Sequence, residues 1–294
     1  MPPRVIQVAV PEPFRLDLTA NVLRRLSTNV VDRYHEGHFQ RLLGTAEGPT
    51  HLDVTQAAPD RLDVHVDGPF GGDVEALVRR MLGVDVDLAP FYAASATTPW
   101  LADLVARARG VKPPRYPSLW EAIVNAVVFQ QISIHAASAI LRRVIESLTP
   151  ARSPDGLSLF PEPELFASAD PAALRARGLS LNKVVALQRL ARLLLEGAID
   201  PATLEGQSTP ALLESLVAHP GIGPWTAALI AIRGFGRLDV FPLRDSGVAR
   251  GLRDLSGEAD VDVNALLAML GTYRGMLYYH LLLARLDARG EVLL

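Results

Sequence analysis

His219-Pro220-Gly221-Ile222-Gly223-Pro224-Trp225-Thr226-Ala227 is the stretch on which the reading of this chain turns. The residues before it, Thr209 to Val217, have helical spacing, and an apolar helical run from Trp225 to Arg233 begins at once after it. Two glycines flank one aliphatic residue. Glycine permits a positive φ and puts no side chain in the way of a close ligand, while Ile222 can anchor the turn in a core. The helix that follows begins with N–H groups that have no acceptor inside the helix, and its positive end favours an anion. A Gly-x-Gly turn alone is better explained as a plain connection between two packed helices.

Working outward, Gly234-Phe235-Gly236 closes the second helix, and Asp245 then opens another. The positive end of a helix keeps a carboxylate ionised, but Asp is also a preferred N-cap, so Asp245 by itself fits either role. Upstream, Pro99 starts a helical region, and Pro117-Ser118 opens a strongly apolar helix towards Gln131. Ile134 to Leu148 is the next helix, followed by a Pro-rich loop from Ser153 to Pro163. Asp170-Pro171 places a cap and a first-turn proline before a further helix. Leu181 to Leu195, Val263 to Leu270 and Tyr273 to Leu286 complete a nearly all-helical region over residues 99–294.

Residues 1–98 have a different texture. Short alternating runs predict strands at Arg4 to Val10, His51 to Thr55 and Arg61 to Val66, the last two joined by a turn at Gln56 to Asp60. Helical spacing at Leu18 to Leu26 and Val74 to Leu82 brackets that pair. The expected fold is mainly α, with a small N-terminal α+β domain that contains an antiparallel sheet. Gly/Ser-rich linkers are absent, so the two halves are expected to pack together.

Composition sets limits. A chain of 294 residues can bury a real core in two domains, and 49% apolar with 21% charged residues describes a globular protein. The absence of cysteine excludes disulfides, thiol nucleophiles and cysteine-ligated clusters, and fits a reducing cytoplasm. Met-Pro-Pro-Arg-Val has no long apolar core, so neither a signal peptide nor a membrane span is expected. A net charge of −3 argues against coating a polyanion with bulk positive charge, but not against gripping a few phosphates through backbone N–H groups. His35-Glu36-Gly37-His38 lacks a third ligand, so no metal site is expected there. Arg24-Arg25, Arg79-Arg80 and Arg142-Arg143 read as solvated helix faces.

The complete string Pro-Gly-Ile-Gly-x-x-Thr-Ala, followed by Asp245-x-x-Val248, is the arrangement of the helix-hairpin-helix/Gly-Pro-Asp DNA glycosylases. The chain resembles the 3-methyladenine DNA glycosylase II branch of that superfamily. Three more stretches carry the resemblance: Gln130-Gln131-Ile132-Ser133 between two helices, Gly178-Leu179-Ser180-Leu181-Asn182-Lys183, and Tyr273-Arg274-Gly275-Met276-Leu277 at the start of the last core helix. It covers residues 99–286 well, while the N-terminal half matches the branch's extra α+β domain only in pattern.

The resemblance implies a monofunctional glycosylase that hydrolyses the N-glycosidic bond of flipped-out alkylated bases, such as 3-methyladenine, in base excision repair of double-stranded DNA. Asp245 would be the catalytic carboxylate. Bifunctional members carry a lysine where this chain has Trp225, and that lysine forms a Schiff base with the sugar. Trp225 and Tyr273 would line the base pocket, although Trp225 can also be read as a core residue. Leu229 stands where the family has another aromatic. Gly221, Ile222, Gly223 and Thr226 would form the DNA-binding hairpin. Gln130 and Gln131 would reach the DNA, Gln131 filling the gap left by the flipped base; the plainer alternative is a pair of helix-end amides meeting backbone carbonyls. Ser133 reads as a helix cap. No cofactor is required, with room for a structural monovalent cation at the hairpin. The protein is expected to act as a monomer in the cytoplasm, at the nucleoid if bacterial. The rival readings are a glycosylase for oxidised or deaminated bases and a lesion-binding protein without catalysis.

Overall fold

The computed structural model describes residues 3–149, 153–243, 246–257 and 261–294, with Ser246 for its backbone alone. Five antiparallel strands form one sheet: β1 (Arg4–Ala9), β2 (Asp32–His35), β3 (His38–Thr45), β4 (Gly48–Ala58) and β5 (Arg61–Asp67), in the order β1-β5-β4-β3-β2. Alternation turns Leu52, Val54, Leu62, Val64 and Val66 inward. They meet α1 (Leu16–Arg24) through Leu16, Ala20 and Leu23, and α2 (Val74–Leu82) through Val74, Val78 and Met81. The three expected strands are present. β4 runs on through Ala58 across a register shift, which shortens the expected turn to Pro59-Asp60. β2 and β3 form a strand pair that the sequence pattern does not predict.

The helices that follow are α3 (Ala89–Ser95), α4 (Pro99–Arg107), α5 (Leu119–Val128), α6 (Ile134–Leu148), α7 (Pro163–Ser168), α8 (Pro171–Ala176), α9 (Leu181–Leu195) and α10 (Pro201–Glu205). Then come α11 (Thr209–Val217), α12 (Pro224–Phe235), α13 (Ser246–Ser256), α14 (Val263–Leu270), a 3-10 turn at Gly271–Tyr273 and α15 (Arg274–Asp287). The caps are those the sequence offers: the Ser118 hydroxyl accepts from the Glu121 amide and the Asp170 carboxylate from the Ala172 amide, with Pro171 in the first turn. α5 is mostly apolar, with Glu121 and Asn125 its only polar residues, and is buried along its whole length, as a central helix must be. It packs against α12 and α9 in the main core. Among the described residues no helix is long and apolar enough to cross a membrane.

Charge joins the sheet to the helices. Arg41 of β3 is buried between Asp32 of β2, at 2.7 Å, and Glu121 of α5. Burial alone would lower the Arg41 pKa, but the two carboxylates outweigh it and keep the guanidinium charged. Arg233 of α12, also buried, donates to the Val22 and Leu23 carbonyls in the last turn of α1, each at 3.1 Å, with the Tyr116 ring beneath it. Arg24-Arg25 is therefore not the solvated face expected. Arg25 is 5% exposed, with its guanidinium 4.0 Å from the Phe129 ring centroid.

Burial pushes Glu121 up to about 7, with help from the nearby Asp32 and against the pull of Arg41. The folded chain thus holds this proton more tightly than the unfolded chain does. The stability linked to it is full below the ordinary carboxylate range and is lost as pH rises through about 7. The melting temperature of the wild type should fall more steeply between about pH 5 and about pH 8 than that of Glu121→Gln, which has no proton to lose. Equal slopes would show that Glu121 does not titrate in that range.

Candidate functional site

The hairpin joins α11 to α12, and its two glycines do different work. Gly221 has φ +93°, and a Cβ there would lie 2.6 Å from the Ala186 Cβ of α9. No larger residue fits. Gly223 has φ −92° as the N-cap of α12, and a Cβ there would meet no described residue within 4 Å. The turn therefore needs a left-handed residue at one glycine only, and the other leaves open space beside the first turn of a helix. Ile222 is 4% exposed and anchors the turn in the core. Pro224 occupies the first helical position, and Gly223 supplies no side-chain cap. Gly221, Gly223 and Pro224 lie at the surface.

Gln130 and Thr226 turn towards the protein. The Gln130 side-chain amide donates to the Gly221 carbonyl at 2.9 Å and to the Thr226 hydroxyl at 2.7 Å. For Gln130 this is the arrangement of a helix-end amide meeting a backbone carbonyl. Gln131 is different. It is exposed, with φ +58°, a region that non-glycine residues rarely occupy. Ile132 beside it is 39% exposed. Ser133 caps α6 by accepting from the Ala136 amide at 3.2 Å.

The hairpin, this α5–α6 loop, α13 and α15 enclose a cleft of about 1240 Å³. Its apolar wall includes Trp225, Leu229, Phe129 and Tyr278. Arg250, Arg285 and Arg289 stand on its α13 and α15 sides, with Asp254 the acidic exception among the described residues. Tyr273 is not among the lining residues; it sits half-buried in the 3-10 turn against the core. Tyr278 is the α15 tyrosine that reaches the cleft. The signal was in the sequence: Tyr278, Leu281, Leu282 and Arg285 follow i, i+3, i+4, i+7 spacing, and all four line the cleft. Phe129 and Arg25, also in the lining, carried no such signal. Asp245 lies outside the described residues. Gly247 and Val248, in the first turn of α13, line the cleft, so the chain just after Asp245 borders it. His38 does not face this site; its ring pairs with Asp53 on the sheet at 2.9 Å.

The comparisons with known proteins agree with this geometry. Residues 124–267 match the family described as HhH-GPD superfamily base excision DNA repair protein. The chain is 34% identical over 259 residues to the probable bifunctional transcriptional activator/DNA repair enzyme AlkA of Mycobacterium tuberculosis, covering 85% of this chain and 50% of that protein. It therefore spans about half the length of that relative. It is 32% identical over 218 residues to DNA-3-methyladenine glycosylase 2 of Escherichia coli, covering 72% of this chain and 74% of that one. The fold is similar to that of a 3-methyladenine DNA-glycosylase from Archaeoglobus fulgidus, with a TM-score of 0.79 and 20% identity, over 98% of this chain and 100% of that one. With its hairpin, its helical core and these relatives, the chain belongs to the HhH-GPD superfamily of base excision DNA repair proteins.

Proposed function

We propose that this protein is a monofunctional DNA glycosylase that excises alkylated bases, 3-methyladenine among them, from double-stranded DNA. The observation that carries the reading is a convergence. The open space at Gly223, the exposed Gln131 loop and the start of α13 after Asp245 all border one aromatic cleft. The names of the relatives point the same way. The first turn of α12 grips phosphate on the lesion strand. The target base leaves the stack at a cost of a few kcal/mol, and Gln131 occupies the gap. The C1′–N bond then breaks, with its electron pair leaving on the base. Asp245 stabilises the positive charge developing on the sugar and orients the water that attacks C1′, and the proton this water loses passes through the Asp245 carboxylate to solvent. A base already cationic leaves neutral and needs little general acid, and the rings of Trp225 and Tyr278 favour it by cation–π attraction.

The protein acts as a monomer, in the compartment that holds the DNA: the cytoplasm, at the nucleoid in a bacterium. No cofactor takes part. The His219, Gly221 and Gly223 carbonyls already accept hydrogen bonds, so a monovalent cation at the hairpin would share oxygens in use. The deciding experiment counts bases released from alkylated DNA, with oxidised and deaminated DNA in parallel. Release from alkylated DNA alone supports the reading; release only from the others, or none, rejects it.

Two further results are expected. Trp225 cannot form an imine, so borohydride in the presence of abasic or damaged duplex should trap no covalent adduct. An adduct mapped to any lysine would end the monofunctional reading. Phosphate contacts through backbone N–H groups and the few cleft arginines should also give a shallow salt dependence. At roughly −0.9 per phosphate neutralised, the slope of log K against log salt should be about −2 to −4. A markedly steeper slope would place a larger basic surface on the DNA.

A further inference from the structure

Three observations converge on the loop between α5 and α6. Gln131 holds a left-handed φ of +58°, and its exposed side chain makes no hydrogen bond to another described residue that would maintain it. Lys183, in the first turn of α9, donates from Nζ to the Val128 carbonyl at 2.9 Å and to the Gln130 carbonyl at 2.8 Å. These are carbonyls that the end of α5 leaves without intrahelical partners, and a cation suits that end of a helix. The Gln130 side chain meanwhile reaches the Gly221 carbonyl and the Thr226 hydroxyl of the hairpin. The residue before Gln131 is thus clamped twice, by its carbonyl to α9 and by its amide to the hairpin. The same α9 braces the hairpin directly, since Ala186 lies against Gly221.

We propose that Lys183 is a positioning residue that presets the Gln131 loop for insertion into the duplex and, through Gln130, ties that loop to the phosphate-gripping hairpin. The proposal rests on the glycosylase reading above and adds a role for a lysine whose ammonium is held by two backbone carbonyls. With the loop preset, the conformational entropy of ordering it is not lost at the moment the base leaves the stack. The need for this should disappear where extrusion is already easy, as it is for a base without a pairing partner.

The test uses Lys183→Met, which keeps an apolar stem and removes the ammonium. Single-turnover excision of an alkylated purine is measured in a fully paired duplex and in the same duplex with an abasic site opposite the lesion. The variant should lose about 30-fold on the paired duplex and less than about 3-fold on the other, since only the first must extrude a paired base. Binding to undamaged duplex should hold, and Lys183→Arg, able to donate to both carbonyls, should restore much of the loss. A fluorescent 2-aminopurine at the target position reports extrusion without excision, and the variant should lose the wild-type signal. An equal loss on both duplexes by a folded Lys183→Met would reduce Lys183 to a general structural residue, and no loss on the paired duplex would also overturn the proposal. If the wild type excises from neither duplex, the glycosylase reading fails. The 2-aminopurine signal then decides alone: its loss in the variant supports the role of Lys183, while an unchanged signal, or none in the wild type, rejects it.

Discussion

Asp245→Asn is expected to fold, to bind duplex DNA like the wild type and to lose base excision by about 100-fold or more, the scale on which one aimed electrostatic stabiliser acts in a dry site. The substitution isolates charge. Asn caps a helix about as well as Asp, so any capping role survives. What disappears is the negative charge that would face a sugar becoming cationic. Two features of the chain motivate the expectation. Asp245 follows the hairpin and one helix, and Gly247 and Val248, in the first turn of α13, line the cleft. Single-turnover release of an alkylated base by wild type and variant is the measurement. Near-normal release would leave Asp245 as a helix cap and send the search for the catalytic group elsewhere along the cleft.

The second large effect separates the two glycines of the hairpin. Gly221→Ala should destabilise the fold by roughly 2–5 kcal/mol. A left-handed φ costs an alanine about 1–2 kcal/mol, and forcing a methyl against a packed neighbour adds about 1–3 kcal/mol. The neighbour is Ala186, with the added Cβ 2.6 Å from its own. Gly223→Ala should cost far less, at most about 1 kcal/mol from the weaker N-cap that alanine makes, because its φ of −92° suits any residue and no described residue lies within 4 Å of the added Cβ. Its effect should instead be weaker binding to damaged and undamaged duplex alike, as the methyl enters the space proposed for a phosphate. Urea denaturation and duplex titration of both variants give the result. If Gly223→Ala binds undamaged duplex as tightly as the wild type, the hairpin is not the phosphate grip.

That contrast also shows what a sequence can and cannot disclose. Two glycines one residue apart look alike in one dimension; their different φ values and neighbours exist only after folding. Helices were legible because period, cap and first-turn proline are local signals: Ser118, Asp170 and Pro224 each sit where their chemistry demands. The strand pair β2–β3 was not. Its inward positions include Asp32 and Arg41, which face each other in register and are buried, so the apolar alternation that marks a strand is broken by charge. His35 and His38 flank the tight turn at Glu36-Gly37, where they read more readily as ligands without a third partner. In the site, the hairpin and the Gln130-Gln131 loop were legible from motif and resemblance. The choice between Tyr273 and Tyr278 depended on the phase of α15, which its first residues do not set. Gln130 and Thr226 could be placed near the hairpin, but not seen to face each other.

The buried cations have an evolutionary consequence. Arg41 meets Glu121 across the boundary between sheet and helices, and Arg233 closes the end of α1 from within α12. A lineage that discarded the N-terminal sheet together with α1 would strand a carboxylate at Glu121 and a guanidinium at Arg233, each costing several kcal/mol if left dry and unpaired. Sheet and charges should therefore be inherited or replaced together. Among homologues, Glu121 and Arg233 should persist where the strands persist and give way to neutral residues where they are missing. Gene fusions or exchanges that swap the first part of the chain should succeed only between parents that share this pairing.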